Sequence, residues 1–523
     1  MTYFRKQYYE VDMKRDLLIV NARCLSMADD AEYDWIAIRG RTISDMGKGE
    51  GCKKYISAAV KIIDAKGRTV LPGFIDSHFH IVQAALNSRS LDLSRARSFR
   101  DIGTLISEAA KASPGKSIRG IGLDEQNLKE GKFPDRIIID RYCKDAPVFI
   151  NSVEYQTSVL NTYALLYYKI PFTLDGIDFD ENQVPTGIIT HYANVLLRDN
   201  VLRSIPNSIR MEAASGFLDS VVEKGITTIN AMEGGRLYCD KDAEFIYESK
   251  DELAIDVALF YSTTDVAKVK EMQLPRIGGC LYVDGTFGAR TSALTFEYND
   301  CPGNMGGLNF TQKEMNQFVL ECYINKLQLA LYTIGDRAIE QALAAHEYAL
   351  DKTGNTGLRH RLEHVELPTL DHIRRAKKLG LVFSMSPAYE YVWGGPNKLY
   401  HERLGENYKR TNPFNQIIGE GVVICGGSDC DVTPADPLLG IHAAVNHPVE
   451  PHRVSIYEAI KMFTCNGAYG IFEEDNKGTL EVGKLADIVI LDSDILSVPN
   501  EEIKDIKIMT TIKSGQILYN KLK

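Results

Sequence analysis

Two histidines separated by one residue close an apolar run, Val70-Leu-Pro-Gly-Phe-Ile-Asp-Ser-His78-Phe-His80. Residues two apart on a β-strand point to the same side. If the strand lines a barrel, His78 and His80 both face the axis at its C-terminal end, where barrel active sites form. Two imidazoles so placed can hold one zinc ion and leave positions for further ligands and a water. Taken alone, the pair could be an unrelated one on a strand. The Pro-Gly before it and Asp76 beside it strengthen the metal reading. Ten cysteines are scattered without a CxxC pair, which indicates neither a zinc ribbon nor a thioredoxin-type site.

The elements that must position this pair can be read from the pattern around it. Asp16–Ala22, Trp35–Ile38 and Ile62–Val70 read as strands, as do Ile488–Leu491 and the segment Ile508–Tyr519, with Gly515 as a turn. Two β-rich ends around a long middle predict that the termini pair into one small sheet domain. In the middle, strand-like runs occur at Val70–Ile75, Val148–Ile150, Ile226–Ile229, Ile255–Phe260, Cys280–Val283, Leu327–Tyr332, Leu381–Ser384 and Val422–Cys425. Helical patterns at Ile209–Lys224, Gln312–Asn325, Ala338–Leu350 and Thr369–Leu379 separate several of them. Such alternation predicts a parallel α/β fold, best a (β/α)₈ barrel. No Gly-rich nucleotide loop follows any strand, which disfavours a doubly wound sheet. Residues 85–210 exceed what a barrel needs at that point and read as an insertion beside its mouth.

The 523 residues are 44% hydrophobic and 25% charged, ordinary globular composition. A net charge of −10 argues against a nucleic-acid partner, which usually meets a basic face. The first residues lack an apolar core and a small-residue cleavage site, and no run of apolar residues is long enough to span a bilayer. With scattered cysteines, this predicts a reduced, cytoplasmic protein with no membrane partner.

LPGFIDSHFH resembles the strand-1 motif of the amidohydrolase superfamily. DGTFGARTSAL (284–294), IGDRAIEQAL (334–343), RHRLEHVE (359–366) and GGSDCDVTPADPLLGI (426–441) are similar to further blocks of the branch that includes N-substituted formamide deformylases. KGTLEVGKLADIVILD (477–492) is similar to the superfamily's return into its small β-domain. The blocks stand in family order over nearly the whole chain. The resemblance implies a TIM-like barrel (72–465), a composite β-sandwich from both termini (1–71 plus 466–523), and metal-assisted hydrolysis, usually of a C–N bond. It matches His78 and His80 to the strand-1 ligands, His364 to the strand-6 histidine, and Asp429 to the strand-8 aspartate that handles the proton of the attacking water. A satisfied core histidine and a helix cap are the plainer readings of His364 and Asp429.

Two positions depart from the family. Cys280 stands where many members carry a bridging, carboxylated lysine, and Tyr332 where strand 5 usually carries a histidine. A lesser departure is Gln156, before Asn161–Leu165, where a Gly-His segment is common. The expectation is therefore one divalent ion, zinc, instead of a lysine-bridged pair. The metal residues would be His78, His80, Cys280, His364 and Asp429, with His364 a ligand or a substrate contact; a thiolate is a good zinc ligand. The alternative for Cys280 is a small buried hydrophobe. Tyr332, Glu233, Arg290 and Gln156 are the candidate substrate contacts. The expected partner is a small-molecule substrate, a homodimer being left open. The expected reaction is cleavage of an amide-like C–N bond, with deamination or another C–N or C–O hydrolysis as alternatives. A non-catalytic regulatory or binding protein on this scaffold is the reading from another class.

Overall fold

The computed structural model describes residues 16–522 except 30, 58, 59, 154, 236–238, 355 and 356. The chain divides into two compact units. The first is Met1–Ile81, Leu218–Glu233 and Ile246–Lys523; the second is Val82–Phe217 with Gly234–Phe245.

The first unit contains the barrel. Its strands are β1 (Phe74–Phe79), β2 (Ile226–Glu233), β3 (Asp256–Tyr261), β4 (Arg276–Tyr282), β5 (Gln328–Thr333), β6 (Arg361–His364), β7 (Val382–Met385) and β8 (Ile424–Gly426). They lie in chain order and every adjacent pair is parallel. A parallel bridge between Phe79 and Cys430 joins β1 to the segment after β8. The His80 amide donates to the Cys430 carbonyl and the Asp429 amide to the His78 carbonyl, each at 2.9 Å. Closure of the barrel thus brings Asp429 beside the histidine pair. Met232, Ala258, Phe260, Ala330 and Ile471 pack together as a core cluster. Arg276 and Gln328, which open β4 and β5, bond the carbonyls of Ile471 and Gly470, so this segment lies at the N-terminal end of those strands.

Two further sheets lie in the first unit, one from the N-terminal segment and one from both chain ends. One has four strands, Leu17–Val20, Trp35–Arg39, Thr42–Gly47 and Lys61–Asp64. The other has six and joins Arg23–Leu25, Glu32–Tyr33 and Thr69–Pro72 to Ile488–Leu491, Ile508–Lys513 and Gln516–Asn520. Ile19, Ile36, Ile63, Val70, Ile488, Ile490 and Ile512 share one buried core between the sheets.

Three strand expectations are corrected. Ile62–Val70 is not one strand. A turn with Lys66 and Gly67 at positive φ, 52° and 76°, splits it between the two sheets. Val70–Ile75 is likewise divided: Thr69–Pro72 pairs in the six-stranded sheet and the barrel strand starts at Phe74. At Gly73 between them, a Cβ would meet the Thr227 side chain at 2.5 Å, so the crossing requires glycine. Val148–Ile150 belongs to the second unit, while β6 was absent from the apolar runs because Arg361, Glu363 and His364 interrupt its hydrophobicity.

The second unit has a six-stranded sheet in the order Ile177–Phe179, Pro185–Ile189, Ser158–Leu160, Val148–Ser152, Ile118–Leu123, Leu91–Asp92. A buried ion pair, Arg210–Asp242 at 2.7 Å, ties its two chain segments together. Among the described residues, no helix is long and apolar enough to cross a membrane.

Candidate metal centre

Five donor side chains from four elements converge at the C-terminal end of the barrel, all within the first unit. Cys280 Sγ lies 3.5 Å from His78 Nε2 and 3.4 Å from His80 Nε2. Asp429 Oδ1 lies 3.1 Å from His80 Nε2 and 3.5 Å from His78 Nε2. The His364 ring centre is 4.7 Å from that of His78. Two overlapping triads result, His78–His80–Cys280 and His78–His364–Asp429, each with its donor atoms within 4.8 Å of one another. Parity along β1 aligns the first two imidazoles. His364 and Asp429 arrive by another route, with left-handed backbone at φ 70° and 51°. Such conformations cost about 1–3 kcal/mol each for non-glycine residues and cluster at functional sites.

The ring orientations are fixed from behind. His80 Nδ1 bonds the Met232 carbonyl and His78 Nδ1 bonds Glu363 Oε2, both at 2.7 Å, so both Nε2 atoms face the cluster. Tyr389, from the helix Ala388–Val392 after β7, donates its hydroxyl to Asp429 Oδ2. Asp76 Oδ1 accepts from the Ser428 amide at 2.9 Å, which anchors the segment carrying Asp429 to β1.

The electrostatics favour a cation here. Burial opposes charge on His78, yet Asp429 and Cys280 lift its imidazole to about 10. Burial opposes charge on His80 too, but Cys280 and Asp429 carry it well above its usual value. Conversely, burial would raise the Cys280 thiol, but His80 and His78 hold it below its ordinary value. Asp429 is held below the carboxylate range by His78, His80 and His364, against its burial. Burial dominates at His364 and pushes its imidazole down to about 4. Both ring nitrogens of His364 are buried with no hydrogen-bond partner among the described residues. A buried neutral imidazole with an unused lone pair, grouped with the Asp429 carboxylate and the His78 imidazole, fits a divalent metal.

The aromatic residues form a wall beside the cluster. Tyr332 meets His364 edge-on at 4.6 Å and stacks on Tyr282 at 4.1 Å. Tyr389 stacks on His364 at 5.8 Å, and Trp393 and Tyr400 continue the series. Tyr332, in the position expected for a histidine, is buried, and burial raises its phenol well above the ordinary value.

The other candidates fare differently. Glu233 ends β2 and is fully buried beside Met232. The Arg290 guanidinium grips Asp300 bidentately at 3.0 and 2.6 Å. The carboxylate it holds is the chain's own. Gln156 belongs to the second unit, exposed between Val148–Ser152 and Ser158–Leu160, while the cluster is drawn wholly from the first. Residues not singled out in the sequence include Glu363, Arg361 and Asp284. Asp284 accepts from the amides of Ile334, Gly335 and Ala293 at 2.8–3.0 Å and clamps the loop after β4 onto the end of β5. An Arg-x-Glu alternation on β6 was the available signal for the first two.

A parallel eight-stranded barrel with this donor set at its C-terminal end is the architecture of a barrel hydrolase. Residues 61–519 match the sequence profile of the amidohydrolase family, and the chain belongs to that family. It is 26% identical to YtcJ of Bacillus subtilis over 93% of this chain and 96% of that one. It is 23% identical to the N-substituted formamide deformylase of Arthrobacter pascens over 97% and 99% of the two chains. Among solved structures, it resembles an uncharacterized metal-dependent hydrolase from Pyrococcus furiosus with a TM-score of 0.77 and 26% identity, covering 92% of this chain and 99% of that one.

Proposed function

We propose that the protein is a metal-dependent hydrolase that cleaves an amide-like C–N bond in a small molecule, a linear N-substituted or a cyclic amide. The reading rests on one observation: His78, His80, Cys280, His364 and Asp429 converge, with His364 carrying two buried, unpartnered nitrogens. These five residues would hold one divalent ion, and the thiol and imidazoles among them favour zinc. When bound, the ion supplies Lewis acidity toward the scissile carbonyl and the attacking water.

The chain's own residues do the rest. Asp429, ionised at neutral pH, takes a proton from the attacking water and returns it to the leaving amine. Tyr389 holds Oδ2 of that carboxylate and so fixes Oδ1 toward the histidine pair. Tyr332, kept protonated by burial, is a neutral donor beside His364 for the developing oxyanion. The aromatic series from Tyr282 to Tyr400 suits a flat or apolar substituent on the amide. The names of the Arthrobacter pascens relative and the Pyrococcus furiosus neighbour are in keeping with this reading.

The test combines elemental analysis with an amide and lactam panel assayed with zinc, manganese and iron. One zinc per chain and turnover of an amide are expected. A fully folded protein that stays metal-free after zinc supplementation would end the hydrolase reading.

A further inference from the structure

We propose that Arg361 and Glu363 form a positioning chain inside the barrel that fixes His78 for metal binding. The inference rests on the metal-site reading above and extends it to two residues that touch neither metal nor substrate.

Glu363 Oε2 is 2.7 Å from His78 Nδ1, and both side chains are essentially inaccessible to solvent. A carboxylate at Nδ1 keeps the proton there, leaving the Nε2 lone pair for the cluster. It also makes the imidazole a better donor to a metal, because it stabilises positive charge on the ring. His80 has a neutral partner in the same role, the Met232 carbonyl at 2.7 Å. The two histidines of the pair are therefore supported unequally. The stronger support falls on His78, which both donor triads share.

A buried carboxylate needs a partner of its own. Arg361 supplies it on the same strand, Nε to Oε1 at 2.8 Å and Nη2 to Oε2 at 2.9 Å. Both carboxylate oxygens are thereby engaged, Oε1 by Arg361 and Oε2 by Arg361 and His78. Arg361 Nη2 also donates to the Ser77 carbonyl at 2.6 Å, which ties the guanidinium to the backbone just before His78. On its other side the guanidinium carbon lies 4.6 Å over the Phe260 ring of β3. The planar fork thus meets β1, β3 and β6 at once, which a lysine point charge cannot do. The alternation on β6 turns Arg361 and Glu363 to the same side.

The test compares purified wild type with Glu363→Gln and, because that variant leaves a buried guanidinium unpaired, with the neutral double variant Arg361→Gln/Glu363→Gln. Zinc affinity is measured by chelator competition on gel-filtered, folded protein, and the visible spectrum of the Co2+-loaded form is recorded. We expect about 10- to 100-fold weaker zinc binding and a shifted Co2+ band in whichever variant folds. A purely structural role would lower the melting temperature of the metal-free protein and leave both readouts alone. Wild-type affinity and spectrum in a folded variant overturn the inference. If neither variant folds, wild type labelled with ¹⁵N-histidine decides. A hydrogen-bonded Nδ1 proton that disappears in His78→Asn supports the chain, and its absence from wild type overturns it. Failure of the wild type itself to bind zinc or Co2+ would bring down the metal-site reading, and this inference with it.

Discussion

A thiol 3.4 Å from one imidazole and 3.5 Å from another, in a site shared with an ionised aspartate, is placed to lose its proton to an arriving cation. Replacing it with a weaker donor should cost affinity and little else. Cys280→Ser is expected to weaken zinc binding by about tenfold or more, since losing even an outer-shell partner of a ligand costs about 10- to 100-fold. Chelator competition against wild type reads this, and unchanged affinity would remove Cys280 from the ligand set. Tyr389 acts on the other side of the cluster. A hydrogen bond to a charged group is worth about 1.5–3 kcal/mol, roughly a 10- to 100-fold effect. Tyr389→Phe frees Asp429 Oδ2 and should lower kcat by about tenfold with metal content retained, since the ligands stay in place. Loss of metal in that variant would show that Tyr389 holds the site together instead. The histidine pair was legible because strand parity alone aligns it. The bond from Tyr389 to Asp429 was not, because nothing local in Ser-Pro-Ala-Tyr-Glu announces a partner 40 residues away.

The most legible elements were helices whose buried residues recur with a regular helical period. The helices expected at Gln312–Asn325 and Ala338–Leu350 are observed at Gln312–Ile324 and Asp336–Thr353. β6 escaped the hydrophobic pattern because three of its four residues serve the cluster or its support, and only the family motif placed it. Behind β5 and β6 lies a second buried polar group. The Tyr323 hydroxyl is 3.1 Å from His346 Nδ1, Tyr323 stacks on His360 at 4.3 Å, and His360 Nδ1 accepts from the Leu329 amide at 3.0 Å. These contacts pin the two helices to the barrel wall and require neutral imidazoles. Burial pushes His346 down to about 3 and His360 well below the ordinary value of 6.5. On unfolding both would regain that value and bind protons. Their contribution is therefore intact above pH 6.5 and is lost as the pH falls toward 3. Each histidine should contribute a slope of about 1.4 kcal/mol per pH unit inside that window. Melting temperatures taken from neutral to mildly acidic pH should fall less steeply in His346→Gln than in wild type. Parallel profiles would show that His346 does not set the acid limit.

At the scale of the first unit, the problem is to hold sheets made from the two ends of the chain against a barrel made from its middle. Hydrogen bonds do part of this: the Thr511 hydroxyl donates to the Val222 carbonyl, just before β2, and the Gly73 amide, just before β1, to the Asp487 carbonyl, each at 2.8 Å. The rest is ionic and sits at the opposite end of the barrel from the metal centre. Asp256, the first residue of β3, pairs with Lys477 and, at 2.9 Å, with Lys513. Lys513 also reaches Asp487 at 3.1 Å, whose Oδ1 accepts the Ser514 amide at 2.7 Å. Lys477 lies in a recognisable motif, but its partner 221 residues earlier could not be read from the sequence, because pairing across the fold leaves no local period. Lys513 is almost fully buried, so its removal strands charge on Asp487. Lys513→Met should then cost about 3 kcal/mol of stability, the scale for breaking a buried ion pair from one side. The metal ligands lie at the other strand ends, so zinc stoichiometry and turnover per folded molecule should stay at wild-type levels. Thermal melting and active-site titration of the same preparation check both halves. A variant as stable as wild type would show that the junction does not depend on this ion pair. A stable variant with reduced turnover would show that the sheets influence the site through the length of the barrel.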